Sequence, residues 1–321
     1  MSIEAPLLFR PVYKVVLWGG RRFERWRSDL PAGPVGESWD LADHDGGMSV
    51  VESRPLAGTS LRELTARFGE ALVGRGFRGG AFPIMIKLID ATDRLSVQVH
   101  PDDALARSLG VGKNGKTECW LVLEDGGELY QGTRPGVDRA AFERALAGGR
   151  VAETLNHYVP RAGDFYFMAA RTVHALGAGC MVYELQQTLD ITFRVWDWGR
   201  VGADGKPRAM HMKEALETID FGASGFGPQR PAWRDGGGAR RTLVDGDYFK
   251  LEEVELSAGV LSAGLGDTCA AITCLAGSGT LSTDAGRVEL APGRTALVPA
   301  AARAFRVEGA SLHILIAQPK L

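Results

Sequence analysis

The sequence predicts a mainly β protein built from two antiparallel barrels with a helical excursion, and three observations lead to this fold class. Short alternating segments separated by Gly, Pro and Asp recur from residue 81 onward, as in sandwiches and barrels. Helical periodicity is local and limited to three stretches. Two segments, one in each half of the chain, also repeat the same order of turns and strands.

The individual elements follow from these patterns. The predicted strands are "FPIMIKLID" (82–90), "LSVQVH" (95–100), "ECWLVLE" (118–124), "DFYFMAA" (164–170), "MVYELQQ" (181–187) and "ITFRVWDW" (191–198). The predicted helices are 59–74, 138–149 and 211–221, and Asp138 can cap the second of them.

The repeated pattern predicts a duplicated barrel. Residues 158–179 and 289–310 each have a Pro-Gly turn, an apolar strand, a second turn and another strand. Aligning Gly163 with Gly293 places His174 opposite Ala304, so the second copy would have lost that histidine. The Gly-, Pro- and Arg-rich passage 222–241 is the predicted connection between the barrels. We therefore predict two domains, residues 1–230 and 231–321.

Composition narrows the class of function. The 321 residues are 45% hydrophobic and 24% charged, with a formal net charge of −2, and no basic block indicates a nucleic-acid partner. The four cysteines form no CxxC pair, as is typical of a reduced protein. The N-terminus lacks a signal-peptide core, and no run approaches the ~18 apolar residues of a membrane span. We expect a cytoplasmic protein with a small-molecule partner and no membrane contact.

The stretch "RLSVQVHPDD" supplies the first candidate metal ligands. Gln98 and His100 point the same way along an alternating strand, with Cα atoms about 6–7 Å apart, so both can reach one ion. Glu118 lies on the next strand, where a buried carboxylate is costly unless a cation pairs with it. His174 follows the turn at Gly163 and adds a third strong ligand. Two His, one Glu and one Gln suit a borderline divalent ion, for which zinc is the prediction.

Each of these residues alone has an ordinary explanation, because a single histidine on an alternating strand is usually exposed or hydrogen-bonded to its surroundings. The combination is harder to explain without a metal. A QxH pair on one strand, a glutamate on the next and a histidine after a glycine turn is the metal signature of the cupin barrel.

Three further charged residues are candidates for the same cavity. Lys116 shares the face of Glu118 on its strand. Asp190 and Arg194 alternate onto one face of the segment 183–200, and a buried arginine is costly unless it meets an anion or lines a cavity. Arg194 could also be exposed on the outside of the barrel.

With these residues in view, the chain closely resembles the type I mannose-6-phosphate isomerases, in particular their short bacterial form. The motifs that carry the resemblance are "VVLWGG" (15–20), "GESWDLADH" (36–44), "FPIMIKLIDATDRLSVQVHPDD" (82–103), "GKTECWLVLE" (115–124), "GDFYFMAARTVHALGAG" (163–179) and "YELQQTLDITFRVWDW" (183–198). They cover most of the first two hundred residues, and the C-terminal part matches only as a degenerate cupin.

The resemblance implies two cupin-like (jelly-roll) barrels, the second degenerate and metal-free. It also implies interconversion of mannose 6-phosphate and fructose 6-phosphate, with one zinc ion per chain held by Gln98, His100, Glu118 and His174. Arg194 would be the catalytic arginine, and Lys116 and Asp190 would line the same pocket. One departure is Leu189, where the family usually has a small polar residue, which removes a possible hydroxyl contact.

Several points stay open at the level of sequence. The general base for proton transfer through an enediol could be Lys116, Asp190 or a metal-bound water. The cations that could bind the phosphate group are Lys87, Lys206 and Arg208, and the tryptophans that could line the sugar pocket are Trp18 and Trp39. The alternative functions are another metal-dependent cupin enzyme, such as an iron dioxygenase, or a non-catalytic sugar-binding cupin. We expect a monomer or a weak homodimer.

Overall fold

The protein is described by a computed structural model, which defines residues 2–201, 205–235 and 238–321. The strands are β1 (Leu7–Arg10), β2 (Val12–Gly20), β3 (Val35–Leu41), β4 (Asp43–His44), β5 (Gly47–Met48), β6 (Val50–Val51), β7 (Ile84–Asp90), β8 (Val97–Val99), β9 (Glu118–Val122), β10 (Leu129–Thr133), β11 (Leu155–Tyr158), β12 (Phe165–Met168), β13 (His174–Leu176), β14 (Met181–Gln187), β15 (Phe193–Trp196), β16 (Arg234–Asp235), β17 (Ala239–Asp245), β18 (Phe249–Gly264), β19 (Ala270–Thr283), β20 (Gly286–Leu290), β21 (Thr295–Val298) and β22 (Ala304–Pro319). The helices are α1 (Leu61–Phe68), α2 (Asp103–Ser108), α3 (Arg139–Ala147) and α4 (Met212–Thr218).

Two facing sheets form the first barrel. One sheet has the strand order β12-β9-β14-β7-β3-β2, and the other has the order β11-β10-β13-β8-β15. Their inner faces share one apolar core, in which Trp120 and Val182 of the first sheet meet Leu129 and Leu176 of the second. The polar side chains that alternate with apolar ones on these strands therefore face each other across the same interior.

Helices cover the outer face of the five-stranded sheet. Val97 and Val99 of β8 pack there against Phe142 of α3 and Ala215 of α4. Helix α3 begins after Asp138, whose side chain accepts a hydrogen bond from the Ala141 amide at 2.7 Å. This hydrogen bond confirms the predicted cap. Because Val97 and Val99 pack under the helices, the residues that alternate with them on β8 point into the barrel.

The outer face of the six-stranded sheet packs on the second barrel. Cys119 and Leu121 of β9 join one buried cluster with Leu251 of β18 and Leu315 of β22. The second barrel's sheet runs β16-β17-β18-β22-β19-β21-β1-β6, with β20 paired to β19, and it encloses a separate apolar core. The mainly β architecture and the local helices predicted from the sequence are confirmed.

The internal repeat is visible in the strand boundaries. With Gly163 aligned to Gly293, strand β12 (165–168) corresponds to β21 (295–298), and the first residue of β13, His174, corresponds to the first residue of β22, Ala304. The two hairpins therefore have equal spacing from turn to strand. That the second barrel holds no metal stays a prediction.

The connection between the barrels is held in place by hydrogen bonds. The Gly227 amide donates to Gln131 Oε1 at 2.9 Å, and Gln229 pairs with Phe165 at the edge of the six-stranded sheet. Strand β16 already begins within the predicted linker, and residues 236 and 237 lie outside the described residues. The division at residue 230 stays a prediction, since β1 and β6 of the first segment pair into the second barrel's sheet.

Candidate metal centre and cavity

Three strands bring the predicted metal ligands together inside the first barrel. Gln98 lies on β8 and pairs directly with His174, the first residue of β13, so both side chains lie on the same face of the sheet. Because Val97 and Val99 are buried under the helices, that face is the interior. His100 follows β8 by one residue and is also buried. Glu118 begins β9 on the opposite sheet.

The ligand atoms of His100, Glu118 and His174 all lie within 4.8 Å of one another. His174 Nε2 is 3.1 Å from Glu118 Oε1, and His100 Nε2 is 3.7 Å from Glu118 Oε2. The Gln98 amide nitrogen lies 3.4 Å from His174 Nε2, which puts its side chain at the edge of this group. All three of the closer residues are buried, as a structural or catalytic metal site requires.

The hydrogen bonds of the two histidines fit a metal. His100 Nδ1 is 2.7 Å from the Ile191 carbonyl, and His174 Nδ1 is 2.9 Å from the Thr172 carbonyl. A carbonyl only accepts, so each Nδ1 carries a proton and Nε2 is the ring nitrogen left to bind a metal in the cluster. This is the tautomer that a metal ligand needs.

Glu118 supports the same conclusion. Both of its carboxylate oxygens are buried and neither accepts a hydrogen bond of good geometry, although Lys116 Nζ lies 2.8 Å from Oε2. A buried carboxylate without hydrogen bonds is costly, and a cation offsets that cost. The donor set of two imidazoles, a carboxylate and a nearby amide fits zinc.

Electrostatic interactions fix the protonation states around Glu118. Burial alone would raise the pKa of Glu118, but the Lys116 ammonium outweighs it and holds that pKa well below its usual range. Burial and the Lys116 ammonium together lower the pKa of His100, so its ring is neutral. Burial would lower the pKa of Lys116, but Glu118 and Glu184 raise it, so Lys116 is protonated.

A second charged cluster lies in the same interior, around Lys87. Its Nζ is 3.6 Å from Glu37 Oε2, 3.7 Å from Glu184 Oε1 and 3.5 Å from Asp190 Oδ1. Burial would lower the pKa of Lys87, but these three carboxylates outweigh it and raise the pKa. The indole ring of Trp39 lies beside the ammonium, with its centre 4.6 Å from Nζ.

Glu184 and Glu37 are the residues of this cluster that the sequence reasoning missed. Glu184 Oε2 accepts a hydrogen bond from Trp120 Nε1 at 2.8 Å, and its Oε1 is buried without a hydrogen bond. Glu37 Oε2 accepts from Trp39 Nε1 at 2.6 Å. The signal that could have revealed Glu184 was available, because it is a charged residue inside the apolar segment "MVYELQQ".

Arg194 lies on the interior face, beside the ligands. It pairs with Gln98 on the adjacent strand β8, and its Nε donates to Ser96 Oγ at 3.2 Å while Nη1 donates to the Ala209 carbonyl at 2.8 Å. Burial and the neighbouring Arg208 lower the pKa of Arg194. Asp190 precedes β15, which begins only at Phe193, and reaches the cavity through Lys87.

The cations and tryptophans predicted for the substrate pocket have different surroundings. Lys87 lies in the cavity among carboxylates, whereas Arg208 forms an ion pair with Asp197. Trp39 lies at the cavity wall, and Trp18 packs in the barrel's inner core. Lys206 lies within the described residues, and its role in phosphate binding stays a prediction.

Leu189, the position at which the sequence departs from the pattern of the family it resembles, lies just before Asp190. Leu189 is buried, and its carbonyl accepts a hydrogen bond from Gln186 Nε2 at 2.8 Å. The residue therefore helps to fix the turn before Asp190 through its backbone, while its side chain provides no hydroxyl.

Comparison with known proteins identifies the family. Residues 7–117 match the family model described as phosphomannose isomerase type I, catalytic domain, and residues 239–318 match mannose-6-phosphate isomerase, cupin domain. The chain is 31% identical to a mannose-6-phosphate isomerase of Streptococcus mutans over 308 residues, covering 95% of each chain. It belongs to the type I mannose-6-phosphate isomerases.

Further family members agree with this assignment. A probable mannose-6-phosphate isomerase of Bacillus subtilis is 32% identical over 319 residues, covering 98% of this chain and 99% of the relative. The crystal structure of a mannose 6-phosphate isomerase from Bacillus subtilis superposes with a TM-score of 0.90 at 28% identity, covering 98% of this chain and all of that one. The resemblance and the cupin fold predicted from the sequence are confirmed. None of the helices in the described ranges has the length and apolar character that crossing a membrane requires.

Proposed function

We propose that the protein interconverts mannose 6-phosphate and fructose 6-phosphate through an enediol, with one zinc ion per chain. The observation that carries this proposal is the buried triad of His100, Glu118 and His174 beside a cavity containing two lysines and three further carboxylates. Gln98 would complete the ligand set. Family membership supports the same substrate class.

The reaction moves a proton between C1 and C2 of the open-chain sugar while negative charge develops on O1 and O2. When bound, zinc would supply Lewis-acid stabilisation of that charge. The chain provides the rest of the site. Protonated Lys116 and Lys87 can donate hydrogen bonds to sugar oxygens, and a permanently charged Arg194 can stabilise the enediolate without losing its proton.

Proton transfer requires a general base that the substrate can reach. The raised pKa values of Lys116 and Lys87 make both amines poor bases near neutral pH, which favours a carboxylate for this role. Glu184 is the best placed of the three remaining acids, which are Glu37, Glu184 and Asp190, because its Oε1 makes no hydrogen bond and burial raises its pKa toward the working range. Asp190, held 3.5 Å from Lys87 and partly exposed, is suited to orient the sugar at the cavity mouth.

The test is a coupled assay of purified protein with mannose 6-phosphate, combined with elemental analysis of bound metal. We expect turnover with about one zinc ion per chain, loss of turnover with a chelator, and recovery on adding zinc. Glu118→Gln should lose both metal and activity, because an amide replaces the anionic ligand. Glu143→Gln, on the exposed surface of α3, is the matched control. Metal-free protein with full turnover, or zinc-loaded protein without isomerisation, would contradict the proposal.

A further inference from the structure

Lys14 is a charged residue of the first barrel to which no role has been assigned so far. It lies on β2, the edge strand of the six-stranded sheet, and pairs with Glu37 of β3. Glu37 is one of the carboxylates around Lys87, so Lys14 points toward the same interior. Its Nζ lies over the indole ring of Trp39, 4.1 Å from the ring centre, and the same ring contacts Lys87.

A cleft borders this edge of the barrel. This cleft of about 560 Å³ runs between β2 and the chain that follows β15, and it is lined by residues of both, including Val16, Trp18, Asp197 and Arg208. Lys14 itself is only partly buried. Lys14 does not line this cleft but directly precedes the β2 residues that do, and its Nζ shares the Trp39 ring with Lys87 of the interior.

Three other cations around the cavity face carboxylates, while Arg194, which donates to Ser96 and to the Ala209 carbonyl, is already assigned to the reacting carbons. Lys87 faces three carboxylates, Lys116 contacts Glu118, and Arg208 shares Asp197 with Arg200. Lys14 differs from these residues. Among the described residues, its hydrogen-bond acceptor is the Gly46 carbonyl and no carboxylate forms an ion pair with it. An ammonium group has three donors, so two of them are available for a ligand.

We propose that Lys14 binds the phosphate group of the substrate, an inference that rests on the proposed function. The reacting carbons C1 and C2 lie at one end of the sugar and the phosphate on C6 at the other. With C1 and C2 at the metal ligands on β8, β9 and β13, the phosphate extends toward the open edge at β2. There a lysine binds a phosphate dianion as a point charge, and Trp39 supports its side chain.

Lys14→Met tests this assignment, because it removes the charge and keeps the apolar stem that packs on Trp39. We expect the KM for mannose 6-phosphate to rise about tenfold or more with a much smaller change in kcat, since phosphate binding is equal in the ground and transition states. Competitive inhibition by inorganic phosphate should weaken by a similar factor. Lys14→Arg should restore most of both, and Lys213→Met, on the exposed side of α4, is the control.

Calorimetric titration with inorganic phosphate separates this inference from the proposed function. If the wild-type protein binds phosphate without isomerising mannose 6-phosphate, the proposed function fails, and weaker phosphate binding by Lys14→Met still supports the site. Unchanged KM and unchanged phosphate binding in a folded Lys14→Met protein, judged by thermal unfolding, overturn the inference. Equal defects in Lys14→Arg and Lys14→Met at wild-type stability also overturn it, because charge would then not be the cause.

Discussion

Glu118 illustrates how a single buried residue can require a ligand. Its carboxylate is charged, because the Lys116 ammonium outweighs burial and holds its pKa well below the usual range. Its oxygens nevertheless lack hydrogen bonds of good geometry, and the Nε2 atoms of His100 and His174 lie 3.7 Å and 3.1 Å from them. Lone pairs facing a carboxylate repel unless a cation lies between them. The Lys116 ammonium supplies one positive charge 2.8 Å from Oε2, and a metal cation among the three side chains would also interact with Oε1 and the two Nε2 atoms.

Arg194→Ala separates catalysis from metal binding at the residue scale. The guanidinium donates to Ser96 Oγ and the Ala209 carbonyl and does not contact His100, Glu118 or His174. We expect kcat to fall by about 100- to 1000-fold, as when one donor to a developing oxyanion is removed, with zinc content unchanged. Elemental analysis and the coupled assay on the same sample measure both.

Arg287→Ala is the matched control for this substitution, since Arg287 is exposed on β20 of the second barrel. The catalytic role of Arg194 is wrong if the variant keeps wild-type turnover. A parallel loss of zinc would instead indicate that Arg194 holds Gln98 in position.

Single residues were predictable from the sequence where the signal was local. The QxH pair and its alternation with Val97 and Val99 were sufficient to place Gln98 and His100 inside the barrel. Glu184 was missed because its partners are distant in sequence: Trp120 lies 64 positions away, and its hydrogen bond depends on the register of β14 with β9. Register between non-adjacent strands cannot be derived from the alternation of either strand alone.

At the scale of elements, the strands β17, β18 and β22 are joined by a buried ion-pair group. Glu253 of β18 accepts from Arg241 of β17 at 2.5 Å and from His313 of β22 at 2.6 Å. Burial would raise the pKa of Glu253, but the hydrogen bonds from His313 and Arg241 outweigh it and lower the pKa. The carboxylate thus links three neighbouring strands.

The pH dependence of stability should report this link. Because the pKa of Glu253 is lower in the folded than in the unfolded state, its contribution is fully present above about pH 4.5 and is lost as pH falls through the folded pKa. Glu253→Gln should reduce the free energy of unfolding by about 3 kcal/mol at neutral pH. The difference from wild type should shrink below about pH 4, as measured by urea unfolding across pH.

Glu255→Gln provides the comparison, since Glu255 lies two residues along the same strand and is exposed. Its substitution should change stability by less than about 0.5 kcal/mol. A Glu253→Gln defect that stays constant from neutral to acidic pH would show that shape and not charge accounts for the effect.

Element positions were well predicted, and element ends were not. Strand β14 has the predicted bounds, 181–187, while β15 begins at Phe193 and not at residue 191. The carbonyl of Ile191 accepts from His100, so this residue bonds to a side chain and not to a neighbouring strand. Helix α1 is shorter than the predicted 59–74, because it begins after the capping residue Ser60 and ends at Phe68 before a 3₁₀ turn.

At the scale of the whole molecule, the two barrels share structure that the sequence could not reveal. Leu7 of β1 pairs with Leu297 of β21, a contact between the two ends of the chain. Between the barrels, Arg27 donates to Ser38 and Asp40 in a buried group that also contacts the Gly293 carbonyl. The repeat within the sequence predicted two similar units, but local patterns carry no information about which edges exchange a strand.

This shared structure predicts that residues 1–230 do not fold alone. Removing residues 231–321 leaves β1 without β21 and exposes the face of β9 on which Cys119 and Leu121 are buried. Each fully buried aliphatic side chain contributes about 1.5–3 kcal/mol. The shared cluster includes Leu7, Leu121 and Leu185, so the cost of exposing it is comparable with the typical stability of about 5–15 kcal/mol. We expect the fragment 1–230 to show no cooperative thermal transition and no stoichiometric zinc.

Co-expression with residues 231–321 should restore both, because the missing strand partners and the apolar cluster are supplied in trans. A fragment that unfolds cooperatively and retains zinc would show instead that the first barrel is an independent domain, with β1 and the inter-barrel cluster dispensable for its stability.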